Sequence, residues 1–101
     1  MLAIFSTFPV GKSESLSADV AEVIKLIDES GIDCQTTAMG TLVEGDWDQV
    51  MDLIKRCHHK LRESSSRVYT KISIDDREGA RGRIKGKVAA VEKRLGREVK
   101  K

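Results

Sequence analysis

The chain has 101 residues, enough for one hydrophobic core and too few for two, so residues 1–101 are expected to form a single domain. Charged residues make up 34% and hydrophobic ones 40%, an ordinary balance for a globular protein, and a formal charge of +2 is too small to favour a nucleic-acid or membrane partner. No apolar run approaches the roughly 20 residues of a membrane span, and Met1-Leu2-Ala3-Ile4-Phe5 has neither the basic start nor the length of a signal peptide, so a cytoplasmic location is expected.

Residues 2–8 read as a first strand, which Pro9 ends because it has no amide proton for a neighbouring strand. Residues 10–16 form a polar loop, and Ser17 is the expected N-cap of a helix burying Val20, Val23, Ile24 and Ile27. Gly31 closes that helix. Residues 33–38 and 41–44 read as two short strands reversing at Met39-Gly40. Asp46 then caps a helix whose stripe is Trp47, Val50, Met51, Ile54, Cys57, His58 and Leu61. Ser64-Ser65-Ser66 breaks it, and residues 67–74 form a last strand. There Val68, Thr70, Ile72 and Ile74 alternate with Tyr69, Lys71 and Ser73. Ile84, Val88, Val91 and Leu95 mark a third helix, its start weakened by Gly82 and Gly86, and Lys100-Lys101 is expected to fray.

This order, β-α-β-β-α-β plus a C-terminal helix, is the split βαβ arrangement of α+β, ferredoxin-like domains with an antiparallel sheet. Both helices between strands pack on one face of such a sheet and leave the other open. The first strand is apolar on both sides, with Ile4 and Phe8 alternating with Ala3 and Phe5. An uncovered apolar face implies association, so a homo-oligomer joined through the sheet is expected.

The fold hosts many activities, and residue types exclude several of them. The chain has no asparagine for acylphosphatase-like catalysis and no Cys-x-x-Cys after the first strand for metal delivery. It is only 4% aromatic, too poor in rings for base-stacking RNA recognition. Cys57-His58-His59 places its histidines about 100° apart on a helix, unlike an i, i+4 ligand pair, and Cys34 and Cys57 make no zinc or redox motif. Asp75-Asp76-Arg77 reads as strand termination with a local ion pair rather than a cation site. Gly11-Lys12-Ser13 lacks the earlier glycine of a phosphate loop. No nucleophile has a base at a recognisable spacing, so no catalytic residue, metal or cofactor is expected.

The hydroxyls on strands are more informative. Ser6, Thr7, Thr36, Thr37, Thr41, Tyr69, Thr70 and Ser73 concentrate neutral hydrogen-bonding groups in a small sheet. Threonine is also a good strand former, which accounts for several without function. A pocket between subunits lined by these hydroxyls with Phe8, Met39 and Tyr69 suits a flat heteroaromatic ligand, with Glu44 as the one negative charge for a cationic group.

Three short blocks, Phe8-Pro9-Val10-Gly11, Met39-Gly40-Thr41 and Ile74-Asp75-Asp76-Arg77, stand at strand ends. With Ser15-Leu16-Ser17, Ser30-Gly31, Glu44-Gly45, Arg67-Val68-Tyr69-Thr70 and Lys87-Val88, their order and spacing resemble the small thiamine-binding-protein family, over nearly the whole chain. Departures stand at Lys12 and Cys34. The resemblance implies a non-catalytic protein that binds thiamine or its hydroxymethylpyrimidine part and assembles as a tetramer with sheets back to back. On this reading the ligand site is expected on the open sheet face at a subunit boundary, from Ser6, Phe8, Thr37, Met39, Thr41, Glu44 and Tyr69. The competing reading is an oligomeric regulatory or scaffold protein that recognises another small metabolite.

Overall fold

A computed structural model describes residues 1–11, 16–79 and 81–96, apart from the side chains of Leu16, Ser17 and Lys87. The described elements are, in order, β1 (Leu2–Pro9), α1 (Leu16–Ser30), β2 (Asp33–Thr37), β3 (Gly40–Glu44), α2 (Trp47–Arg62), β4 (Val68–Asp75) and α3 (Arg83–Leu95). The strands form one antiparallel sheet of order β2-β3-β1-β4. This is the ferredoxin-like arrangement read from the sequence, with the added helix. Most of the predicted polar loop, residues 12–15, and Lys100-Lys101 lie outside the described residues.

Alternation along β1 sorts the sheet into two faces. Ala3 and Phe5 are opposite Val43 and Thr41 on one side and Ile74 and Ile72 on the other. Of these, Ala3, Phe5 and Val43 share a core with Val23 and Ile27 of α1 and with Val50, Leu53, Ile54, Cys57 and Leu61 of α2. Ile72 packs against that core, while Ile74 stays 40% exposed. Leu2, Ile4, Ser6 and Phe8 point to the opposite, open face with Leu42, Glu44, Tyr69 and Lys71. Tyr69 therefore faces away from the helices, as the alternation along the last strand predicts.

The helix boundaries depart from the sequence reading in detail. α1 opens at Leu16, so Ser17 already has helical backbone and cannot be the cap. In α2, Asp46 does cap: Oδ1 accepts from the Gln49 amide at 2.8 Å, and Gln49 Oε1 accepts in return from the Asp46 amide at 3.1 Å, a complete capping box. The predicted stripe is turned at its start, because Trp47 is 54% exposed and Leu53 is in the core instead. Val20 is also exposed, at the end of α1 that overhangs the sheet. Of the apolar residues of α3, Ile84 and Val88 are half-buried while Val91 and Leu95 stay exposed.

Cys57 sits in the middle of the core, and burial pushes its thiol up to about 11 from 9.0. Between those values the unfolded chain loses the thiol proton while the native chain keeps it. The native state then binds more protons, so stability falls as pH rises. Urea unfolding should accordingly show a steeper loss of stability from pH 8.5 to 11 (approximate limits of the measurement) in the wild type than in Cys57→Ala. At neutral pH that variant should cost about 1–3 kcal/mol through the cavity it leaves.

Candidate functional site

β1 pairs with β4 over its whole length, from Leu2↔Asp75 to Pro9↔Val68. With β3 it pairs only from Leu2↔Glu44 to Phe5↔Thr41. Beyond Phe5 the sheet has a notch where β3 has turned into the β2–β3 hairpin. The backbone pattern fixes what faces it. Met1 and Gly45 exchange both backbone hydrogen bonds, at 2.7 and 3.1 Å, and the Val10 amide donates to Arg67 O at 2.9 Å. Odd-numbered residues of β1 therefore turn their backbone groups towards β3 and even-numbered ones towards β4. Thr7 is the first odd residue past the end of β3, so its N–H and C=O are aimed into the notch. Pro9 is the next, and its missing N–H falls on the side where no strand would have used it.

The hairpin ends β3 by a local device. Thr37 Oγ1 donates to Gly40 O at 2.7 Å and accepts from the Met39 amide at 3.2 Å. Gly40 has φ 154°, and a Cβ there would come within 2.9 Å of Phe5 O. Only glycine lets β3 start this close to β1.

The notch opens into a cleft of about 390 Å³, within the usual size of small-molecule sites. Ser6, Thr7 and Phe8 of β1 form one wall, and residues 36–41 of the hairpin form a second. Val20, Val23 and Ile24 of α1 close it from the helix side. Its described lining residues carry hydroxyls and apolar groups and no charge. Thr7 Oγ1 is 2.7 Å from Thr70 Oγ1, which is in turn 2.6 Å from His58 Nδ1.

Five of the residues expected in the site, Ser6, Phe8, Thr37, Met39 and Thr41, line this cleft together. Tyr69 abuts it through Phe8, with ring centroids 5.6 Å apart and planes 29° apart. The cleft is at the end of the sheet and reaches round to the helix side, where Thr41 is buried, rather than lying flat on the open face. Thr7, Thr36, Val20 and Ile24 join the wall as well. The strand pattern shows their hydroxyl or apolar character, but not that β3 stops short of them.

Glu44 is not brought to this cleft. It stands at the far end of β3, three residues beyond Thr41 or about 10 Å along the strand. There its Oε1 accepts from the Arg83 and Ile84 amides at 2.8 and 3.3 Å, and Oε2 accepts from Arg83 N at 3.0 Å. Gly82, the residue before α3, supplies no side-chain cap, so a carboxylate from another element occupies the positive end of that helix. Asp75 of β4 pairs with the Arg83 guanidinium beside it. α3 thus stands on the open side of the sheet, packed chiefly against β3 and β2.

A second cavity, about 500 Å³, adjoins this anchor. Of its polar lining, Glu44 is engaged with α3 and Asp46 and Gln49 with the α2 cap, while Asp33, Asp76, Arg77, Glu78 and Arg81 give it charges of both signs. Among the described residues, no three His, Cys, Asp or Glu side chains gather as they would around a metal ion. No described helix is long and apolar enough to cross a membrane.

A family model for thiamine-binding proteins matches residues 3–92. The chain belongs to that family. It is 37% identical over 96 residues to a UPF0045 protein of Mycobacterium tuberculosis, covering 94% of each chain. A UPF0045 protein of Methanocaldococcus jannaschii is 31% identical over 91 residues, covering 90% of this chain and 91% of that one. The solved structure of a hypothetical protein from the same archaeon superposes with a TM-score of 0.79 at 31% identity, over 89% of this chain and 93% of the other. A Thermotoga maritima protein ascribed to thiamine biosynthesis or salvage has the same fold, with a TM-score of 0.77 at 22% identity over 89% and 96% of the two chains.

If Glu44 serves α3, its loss should be felt there. In Glu44→Ala, hydrogen exchange at the Arg83 and Ile84 amides should quicken at least about tenfold, since a hydrogen bond to a charged group contributes roughly 1.5–3 kcal/mol. Exchange in the core turns of α2 should be unchanged.

Proposed function

We propose that this protein binds thiamine, or its hydroxymethylpyrimidine moiety, without catalysing a reaction, in the cleft at the end of β1. The observation that carries the reading is the lining of that cleft, neutral hydroxyls and apolar side chains without a described charge, in a member of the thiamine-binding family. A neutral aminopyrimidine offers ring nitrogens and an amino group to such hydroxyls and a flat face to Phe8 and Met39. The cationic thiazolium has no counter-charge inside the cleft and stays at its mouth. The Thermotoga protein's ascription to thiamine biosynthesis or salvage points the same way. The described lining also holds no His, Cys, Lys or carboxylate to act as a base directly on a bound ligand, which supports binding rather than turnover.

The protein works as a cytoplasmic homotetramer joined through the open sheet face, with the cleft mouth at a subunit boundary. Support comes from Phe8 and Tyr69, stacked on each other yet 42% and 51% exposed, beside the half-buried Leu2, Ile4 and Leu42. α3 covers the β2–β3 half of that face and leaves the β1–β4 half for a second copy.

Isothermal titration with thiamine, thiamine phosphate and hydroxymethylpyrimidine tests the reading. All three should bind, and each should be recovered chemically unchanged. Ser6→Ala should weaken hydroxymethylpyrimidine about three- to tenfold, the value of one hydrogen bond, while Glu44→Gln should leave its affinity within about twofold. The reverse pattern would move the site to the cavity beside α3, and failure of all three compounds to bind would reject the reading. Light scattering should return a multiple of the 11.2 kDa chain, and a stable monomer at micromolar concentration would reject the assembly.

A further inference from the structure

Two short contacts join the wall of the cleft to a titratable group outside its lining. Thr7 and Thr70 are opposite each other across the β1–β4 ladder, on the helix side, with their hydroxyl oxygens 2.7 Å apart. His58 reaches down from α2, half-buried, and places Nδ1 2.6 Å from the Thr70 oxygen. The residues that share this side of β1 and β4, Phe5, Pro9, Val68 and Ile72, carry no charge. α1 brings Val23 and Ile27 to the core it shares with α2. On α2 itself the neighbours are His59, with its ring 6.0 Å away, the Cys57 thiol, and Lys55 and Arg62 one turn to either side. Arg62 is engaged with Ser65 O at 2.8 Å.

A hydroxyl has one proton to give and two lone pairs to receive. When Nδ1 is unprotonated, the Thr70 proton must go to it. The Thr70 oxygen then takes the Thr7 proton, and Thr7 has only lone pairs left for the cleft. That first state is the neutral ring with its proton on Nε2; in the imidazolium, or in the neutral Nδ1–H tautomer, Nδ1 carries a proton and the direction reverses. Nδ1–H donates to Thr70, Thr70 donates to Thr7, and the Thr7 proton is released towards the cleft. Both states keep the same two oxygens and one nitrogen at the same distances, so nothing in the fold has to move.

We propose that His58 is a positioning residue that sets, through Thr70, whether Thr7 offers the ligand an acceptor or a donor. This rests on the binding reading and deepens it, by making recognition of a hydrogen-bonding heteroaromatic ring depend on the state of one imidazole.

The test titrates hydroxymethylpyrimidine calorimetrically into the whole chain at several values between about pH 5 and 8, where an imidazole changes charge. Wild type is compared with His58→Gln and Thr70→Val. Protonation of the pyrimidine itself enters all three alike, so the difference between profiles is the readout. The wild-type affinity should change about three- to tenfold more across that range than either variant's, and the sign shows whether a ring nitrogen or the amino group meets Thr7. Superimposable profiles would overturn the inference while leaving the binding reading intact. Failure of the wild type to bind at any pH would reject that reading and this inference with it. Should a variant not fold, the wild type alone suffices. By reciprocity, ligand must shift the midpoint of the His58 imidazole titration, followed by NMR, by about half to one pH unit. An unmoved midpoint would overturn the proposal.

Discussion

β1 has a full-length partner on one side and a half-length partner on the other, and most of what is distinctive in this molecule follows from that inequality. β4 holds it along eight residue pairs, so the strand stays extended to Pro9. β3 holds it along four, because the Thr37 hydroxyl and Gly40 turn the chain at a fixed point. What is left is a stretch of strand that is rigid, because β4 secures it, and accessible, because β3 has gone. Backbone groups, hydroxyls and the Phe8 ring are thereby presented to the cleft on an already ordered strand. α1 contributes by being longer than the core needs. Val23 and Ile27 anchor it, and Val20 and Ile24 overhang the notch.

The two ends of β3 divide the electrostatics of the domain. At one end Glu44 and Asp46 serve helix N-termini, where carboxylates oppose the exposed amide dipoles of α3 and α2. At the other end the described walls are neutral. Bringing an unpaired charge into such a cleft would cost several kcal/mol, against about 1 kcal/mol gained from each hydroxyl contact. On the proposed reading, the cleft would favour the uncharged part of an amphiphilic ligand and leave any cationic part in water.

Much of this architecture was legible in the sequence. Alternation along the first and last strands gave both faces of the sheet and the outward direction of Tyr69, because a period of two leaves no freedom once one residue is buried. The grouping of Ser6, Phe8, Thr37, Met39 and Thr41 was legible for a related reason, since these residues flank the same strand ends. Glu44 misled because its partner is 39 residues away in Arg83, and nothing local marks a carboxylate as the cap of a distant helix. Trp47 misled because it stands at helical spacing from Val50 yet is 54% exposed, outside the face centred on Val50, Leu53, Ile54 and Cys57. Where β3 would end relative to β1 could not be read at all. It depends on pairing register, which the pattern constrains only modulo two residues.

Whether the notch beside β1 receives the ligand can be followed residue by residue by amide chemical-shift mapping. Addition of hydroxymethylpyrimidine to the isotope-labelled protein should shift the amides of Ser6, Thr7, Phe8, Thr37, Met39 and Thr41 with a common saturation curve. The amides of Glu44, Trp47 and Arg83 should stay put. Saturable shifts confined to Glu44, Trp47 and Arg83, with the β1 and hairpin amides unmoved, would contradict the account.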